Sequence, residues 1–382
     1  MTRKKVLYVI SNVTDSTEYE LLVAHWDRSR FDLEFVFLNP EADCNLQRHL
    51  RNAGFKSSTI IYRGRKHALK AIVGLMRLYR ASRPDIIHLN LLEATFYGLI
   101  AAKLTGIGRT VYTRHHSTHN HKYHQGRGVM YDRLCNRWTD RIIAITRSTE
   151  EILLDWEQVP KEKVVLIYHG YDMAQVPGHD PAEVRTLAAR HGIGTDGRAP
   201  VIGMIARPFE WKGLDHAIPA FRDVLNTHPN AKLVIFNWKG TPHTHRYEQL
   251  LGSLPSGSWH TVHFEPQVVK LFHAFDVFVH VPEDQHAEAF GLVYIESMMS
   301  GVPCVFSRSG IMHDLEVEKL QGVRMVPFKD KASITAAVNA WLKEPPDTSA
   351  RSAFAAHNTG VLRGVLDIRL KMQDLNRLYD SM

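Results

Sequence analysis

Thirteen short apolar runs, rich in Val and Ile and separated by stretches of helical spacing, constrain this chain more than any other feature. The first series is KVLYVIS (5–11), LEFVFL (33–38), STIIY (58–62), DIIHLN (85–90), TVYT (110–113), RIIAIT (141–146) and KVVLIY (163–168). Helical patterns fall between them, at 17–28, 67–82 and 93–105 among others. The second series is PVIGMIA (200–206), AKLVIFN (231–237), HTVHF (260–264), DVFVHV (276–281), PCVFS (303–307) and VRMVP (323–327). A run apolar on both faces is a strand covered on both faces, and such strands alternating with helices build parallel βαβ sheets. The rhythm breaks at a Gly-, Pro- and Asp-rich stretch, HGYDMAQVPGHDPAEVRTLAARHGIGTDGRAP, and then restarts. The reading is therefore α/β, with two Rossmann-like domains, 1–175 and 176–361, facing each other across a cleft. Open sheets of this kind bind ligands at the carboxyl ends of their strands.

With 382 residues there is room for two cores. No run of 18 apolar residues occurs, and the apolar start is too short for a signal peptide. Three scattered cysteines without CxxC spacing fit a reduced, cytoplasmic compartment and exclude a disulfide frame. The charge is uneven. Residues 1–172 hold 26 Lys and Arg against 18 Asp and Glu, eight cations in excess, so the rest carries about one negative charge against the whole chain's +7. Arg63, Arg65, Lys66, Lys70, Arg77, Arg80 and Arg83 occur in 63–83 without an acidic residue. Such an amphipathic helix suits peripheral contact with an anionic membrane as well as it suits an ordinary solvated face. It lacks the interleaved exposed aromatics of a nucleic-acid groove, so no nucleic acid is expected.

The chemistry concentrates in HAEAFGLVYIESMMSGVPCV (286–305). Glu288 and Glu296 are separated by seven residues. Gly291 marks a strand-to-helix turn where backbone can approach a ligand, and the helix behind it offers free N–H groups to phosphate. Glu296 lies too deep for that anion and suits vicinal hydroxyls such as those of a ribose. Glu288, in the turn, suits hydroxyls of a second group beyond the phosphates. Upstream, IARPFEWKGLDHAI (205–218) places Arg207 and Lys212 in one loop before a helix that starts at Gly213. Two cations there suit a diphosphate leaving group, without the magnesium used elsewhere.

Together, these segments resemble the retaining glycosyltransferases of family 4, which have the GT-B fold. DRIIAITRSTEEIL, VVLIYHGYD and VRMVPFKDKASITAAVNAWL extend the resemblance over nearly the whole chain. It implies transfer of a sugar from a nucleotide-diphosphate sugar, UDP-linked before GDP-linked, to a saccharide or lipid-linked acceptor in cell-surface polysaccharide or glycolipid synthesis. No metal and no cofactor would be needed, the anomeric configuration would be retained, and a last helix over about 362–382 would return to the first domain. Glu296 would hold the ribose. Arg207 and Lys212 would steady the departing diphosphate, and Glu288 with the backbone of Ala289, Phe290, Gly291 and Leu292 would hold the sugar. Two positions depart from the pattern: the loop after the first strand, SNVTDSTEYE, has no glycine, and His169 replaces a common asparagine.

The stretch HHSTHNHKYH (115–124) is half histidine. Zinc would need three or four ligands converging from it, His115, His119 and His121 being the choice, with no Cys or acidic cluster to join them. By the resemblance, His115 faces the donor sugar, with His116 as its neighbouring alternative. Asn12, Asn90, His116 and Tyr123 are the acceptor-side candidates, Asn90 having a helix-capping role as its alternative. A GT-B nucleotide-sugar epimerase is the nearest rival. A dinucleotide oxidoreductase would need a Gly-x-Gly-x-x-Gly that VISNVTDST lacks.

Overall fold

The computed structural model describes residues 3–123, 126–173, 180–194 and 199–382. The chain divides into two compact units, Met1–Asp172 with Val365–Met382, and Met173–Gly364. The boundary expected near residue 175 falls in 174–179, outside the described residues.

All thirteen expected strands are present, with ends moved by at most two residues. In the first unit they are β1 (Lys4–Ser11), β2 (Phe31–Asn39), β3 (Lys56–Ile61), β4 (Ile86–Asn90), β5 (Arg109–Arg114), β6 (Arg141–Ala144) and β7 (Val164–Leu166). They form one parallel sheet in the order β3-β2-β1-β4-β5-β6-β7. Alternation along β1 shows why the run had to be apolar throughout. Val6, Tyr8 and Ile10 enter the core on one face, and Leu7 and Val9 the core on the other. The helix Ile368–Ser381 closes the first of these faces with Ile368, Met372, Leu375, Leu378 and Tyr379.

The second unit carries β8 (Val201–Ile205), β9 (Lys232–Phe236), β10 (Trp259–Val262), β11 (Val277–His280), β12 (Cys304–Phe306) and β13 (Val323–Met325). These are again parallel, in the order β10-β9-β8-β11-β12-β13. The strand order reverses between β1 and β4 in one sheet and between β8 and β11 in the other. These are the places where an open α/β sheet presents loops to a ligand.

Residues 63–83 form the helix Ala68–Ser82, whose inner face is Ala71, Leu75 and Tyr79. All seven cations of the segment are exposed, and Leu69 is 74% exposed beside Lys70. Cys44, Cys135 and Cys304 are buried free thiols. Among the described residues, no helix is long and apolar enough to cross a membrane.

Candidate functional site

In the second unit the loops after β8 and β11 bring three of the expected residues to one sheet edge. Gly213 ends the β8 loop at φ +71, where an added Cβ would lie 1.8 Å from the Val281 carbonyl oxygen. Only glycine fits there, and that close approach seats the Arg207–Lys212 loop against the end of β11. Lys212 Nζ donates to Glu288 Oε1 at 2.5 Å. His280, the last residue of β11, donates from Nε2 to the same oxygen at 3.0 Å. The Glu288 backbone N–H is held by Ser309 Oγ at 3.0 Å. Burial alone would raise the Glu288 pKa, but Lys212 and His280 outweigh it and bring the carboxyl down to about 2. The expectation had Lys212 at a diphosphate. Here its ammonium is engaged by Glu288, and the sequence reading missed His280 altogether.

Gly291, at φ +85, caps the helix Leu292–Ser300, and Gly301, at φ +73, ends it. Phe290 is buried, Ala289 half-buried, and Leu292 half-exposed at the helix start. Glu296 stands one turn into that helix. Its carboxylate has no hydrogen bond or ion pair among the described residues. Burial pushes its pKa up to about 7, although solvent still reaches the side chain. Arg207 is exposed and has no carboxylate partner among the described residues. Its guanidinium lies 4.7 Å from the Phe209 ring, and Phe209 stacks on Trp211 at 4.1 Å.

In the first unit, His115 Nε2 donates to Asn90 Oδ1 at 3.3 Å, and its ring stacks on His169 at 5.6 Å. His169 Nδ1 and Lys371 Nζ both reach Glu18 Oε1, at 2.9 and 2.7 Å. His88 joins Tyr379 and Thr113 through its two ring nitrogens, at 2.6 and 2.8 Å. Burial lowers His115 to about 4 and His88 to about 3. A cavity of about 10 Å³ lies among Glu18, His88, Asn90, His169 and Lys371, room for about one water. Asn90 Nδ2 is buried there without a hydrogen-bond partner among the described residues.

The histidine-rich stretch divides into two roles. Arg114, fully buried, donates to Glu157 Oε1 at 2.6 Å and to Asp132 Oδ2 at 3.2 Å. His116 Nε2 donates to Asp132 Oδ1 and His121 Nε2 to Glu157 Oε1, both at 3.0 Å, while Asn120 Nδ2 donates to Asp132 Oδ2 at 2.8 Å. His116 and His121 are thus tied down by two buried acids. His119 and Tyr123 pair their rings at 5.6 Å on the short helix His119–Tyr123. His115, His119 and His121 do not converge on a metal. Among the described residues, the one set with ligand spacing is Glu18, His115 and His169. Lys371 already neutralises the shared Glu18 oxygen there, which leaves that set poorly suited to a cation. Asn12, at φ +55, explains the loop without glycine. Asparagine tolerates the left-handed conformation at the end of β1.

Residues 188–358 match the family model described as Glycosyl transferases group 1, and residues 20–175 the model described as Glycosyltransferase Family 4. Each matched segment covers most of one of the two units, so each unit resembles a glycosyltransferase family model, and the two parallel sheets have the GT-B architecture. The chain is 29% identical over 193 residues to an uncharacterized glycosyltransferase of Methanocaldococcus jannaschii, covering 49% of this chain and 47% of that one. It is 25% identical over 193 residues to the D-inositol 3-phosphate glycosyltransferase of Segniliparus rotundus, covering 48% and 40%. The chain thus spans about half the length, or less, of these curated relatives. Anabaena HepE, solved in complex with UDP-glucose, superposes with a TM-score of 0.79 at 17% identity over 99% of this chain and 100% of that one. That likeness is one of fold.

Proposed function

We propose that the protein is a retaining glycosyltransferase that moves a sugar from a nucleotide-diphosphate sugar, UDP-linked by preference, to a hydroxyl of a saccharide or lipid-linked acceptor in cell-surface polysaccharide or glycolipid synthesis. The observation that carries this reading is the contrast within one motif. Glu288 is saturated on one oxygen, while Glu296 and Arg207, from the same sheet edge, have no charged partner among the described residues. An unpartnered carboxylate behind a helix N-terminus suits ribose hydroxyls, and the helix start and Arg207 suit phosphates.

In this reading the bond from the sugar's anomeric carbon to the diphosphate breaks first. Arg207, Lys212 and the N–H groups at the start of Leu292–Ser300 take up the charge that develops on the leaving oxygen. The acceptor oxygen attacks from the face the diphosphate leaves, and its proton passes to the departing phosphate. Atoms and charge balance without a covalent enzyme adduct, a metal or a cofactor. Glu288 and the backbone of Ala289–Leu292 hold the sugar. His115 is assigned to the donor sugar ahead of His116, because His116 is engaged by Asp132. Asn12, Asn90 and Tyr123 are assigned to the acceptor.

Thermal shift with UDP, GDP, ADP, NAD and their sugar conjugates, in EDTA, tests the reading on wild type and Glu296→Ala. At about a hundred times its dissociation constant a ligand adds ~2.7 kcal/mol, roughly 5–10 °C for a unit of this size. One nucleotide diphosphate should stabilise wild type and lose most of that effect in the variant. No shift by any nucleotide, or a shift with added zinc alone, would sink the proposal.

The exposed cations of 63–83 with Leu69 suit a peripheral contact on the inner face of an anionic membrane, each contributing about 1 kcal/mol near such a surface. Co-sedimentation with phosphatidylserine vesicles should fall when Lys66, Lys70, Arg77 and Arg80 are changed to Gln. Unchanged sedimentation removes this part of the proposal.

A further inference from the structure

Glu288 Oε1 receives two donors of different kinds. Lys212 Nζ stands on a loop at the end of a flexible stem. His280 stands at the end of β11, with its ring 1% exposed and packed edge-on against Tyr294 at 4.7 Å. Glu288 Oε2 receives no hydrogen bond among the described residues. The histidine has one further property. Its Nδ1 is buried with no hydrogen-bond partner among the described residues. A proton there would be an orphaned buried donor, whereas on Nε2 it meets a carboxylate. The ring is therefore the Nε2–H tautomer, and burial, opposed by Glu288, keeps it neutral.

The two donors differ in what a diphosphate would do to them. A second anion beside Lys212 competes for its three N–H groups and draws the ammonium partly away. His280 cannot follow, because strand and core fix it. From this we infer that His280 is a positioning residue, holding Glu288 by Oε1 so that Oε2 stays available to hydroxyls of the transferred sugar while Lys212 serves the diphosphate. The inference rests on the reading above that Glu288 holds the sugar. It adds that recognition of the sugar, as distinct from the nucleotide, depends on a residue that touches neither.

The test compares UDP with UDP-glucose by calorimetry on wild type, His280→Leu and His280→Gln. A hydrogen bond to a buried carboxylate is strong enough for its loss to cost about tenfold. In His280→Leu the UDP affinity should stay within about twofold while UDP-glucose weakens about tenfold. His280→Gln, whose amide donates from nearly the same place, should recover most of that loss. Equal losses for both ligands, or none for UDP-glucose, would overturn the inference. Nitrogen-15 spectra of the wild-type ring form a separate arm. They should show the Nε2–H tautomer, with its proton signal moving upfield in Glu288→Gln. An Nδ1–H tautomer, or a signal indifferent to Glu288→Gln, would overturn it as well. Should wild type bind neither nucleotide, the functional reading falls, and the imidazole signal alone decides whether His280 positions Glu288.

Discussion

The polar groups at the switch points of the two sheets are assembled on opposite principles. In the first unit the charges gathered near the ends of β1, β4 and β5 are answered from within. Glu18 holds Lys371 and His169, and the neighbouring acids Asp132 and Glu157 share Arg114 and each take a histidine. In the second unit the answering stops halfway. Glu288 is held by Lys212 and His280, while Glu296 and Arg207 are left open among the described residues. A saturated cluster fixes shape, and an unsaturated one has hydrogen-bonding capacity left for a ligand. A density of titratable side chains is therefore a poor guide to where a ligand binds. The histidine-rich stretch draws the eye in the sequence, yet two of its rings are structural ties.

The largest effect is expected from removing the cation at the centre of the saturated side. Arg114→Met strands Asp132 and Glu157, 3% and 0% exposed. Losing one partner of a buried ion cluster costs about 3–5 kcal/mol. Thermal unfolding should therefore fall by roughly 6–20 °C, at about 2–4 °C per kcal/mol for a unit of this size. Replacing Arg114, Asp132 and Glu157 together by Met and Leu should recover much of the loss. A melting temperature unmoved by Arg114→Met would show that the cluster does not hold the loop.

A smaller effect is expected at Glu18. Burial raises its pKa, but His169 and Lys371 outweigh burial, and the carboxyl falls well below its ordinary 4.5. A carboxyl depressed in the folded state stabilises it above the unfolded pKa, and this is lost as pH falls through the folded value. Glu18→Gln should therefore cost about 2 kcal/mol at pH 7, a value typical of hydrogen bonds to charge. The gap from wild type should narrow as pH is lowered below 4.5. A gap constant across pH would mean that the substituted amide disturbs packing and that charge is not the cause.

Much of this was legible in the sequence, and the reasons are specific. Strands covered on both faces must be apolar throughout, so β1, β4 and β8 announced themselves. Gly213 and Gly291 marked turns because nothing larger fits at Gly213 and both require positive φ. Illegible features were those set by side-chain pairing across distant segments. His280 is one apolar-flanked histidine in a strand, and only the fold brings it to Glu288. Asn12 hid a glycine-like conformation behind another residue type. Lys371, 353 positions from Glu18, cannot be paired with it by any local pattern.

The smallest expected effect lies on the open side. Glu296 has its pKa raised to about 7 by burial, with no partner among the described residues to offset it. A carboxyl raised in the folded state imposes no cost below its unfolded pKa of about 4.5. The cost grows as pH rises from there to about 7 and then stays level. Solvent reaches the side chain, so the cost is discounted to about 1 kcal/mol. Glu296→Gln removes the charge and keeps the shape. Its melting temperature should match wild type near pH 4.5 and exceed it by about 2–4 °C at pH 8. The same variant should bind the nucleotide more weakly. A gain in stability alongside a loss of binding is what an unpartnered ligand-facing carboxylate predicts, and Glu18→Gln, on the saturated side, should show no such gain. A Glu296→Gln chain no more stable than wild type at pH 8 would mean that the carboxylate is already satisfied, and the proposed contrast between the two sheets would lose its open half.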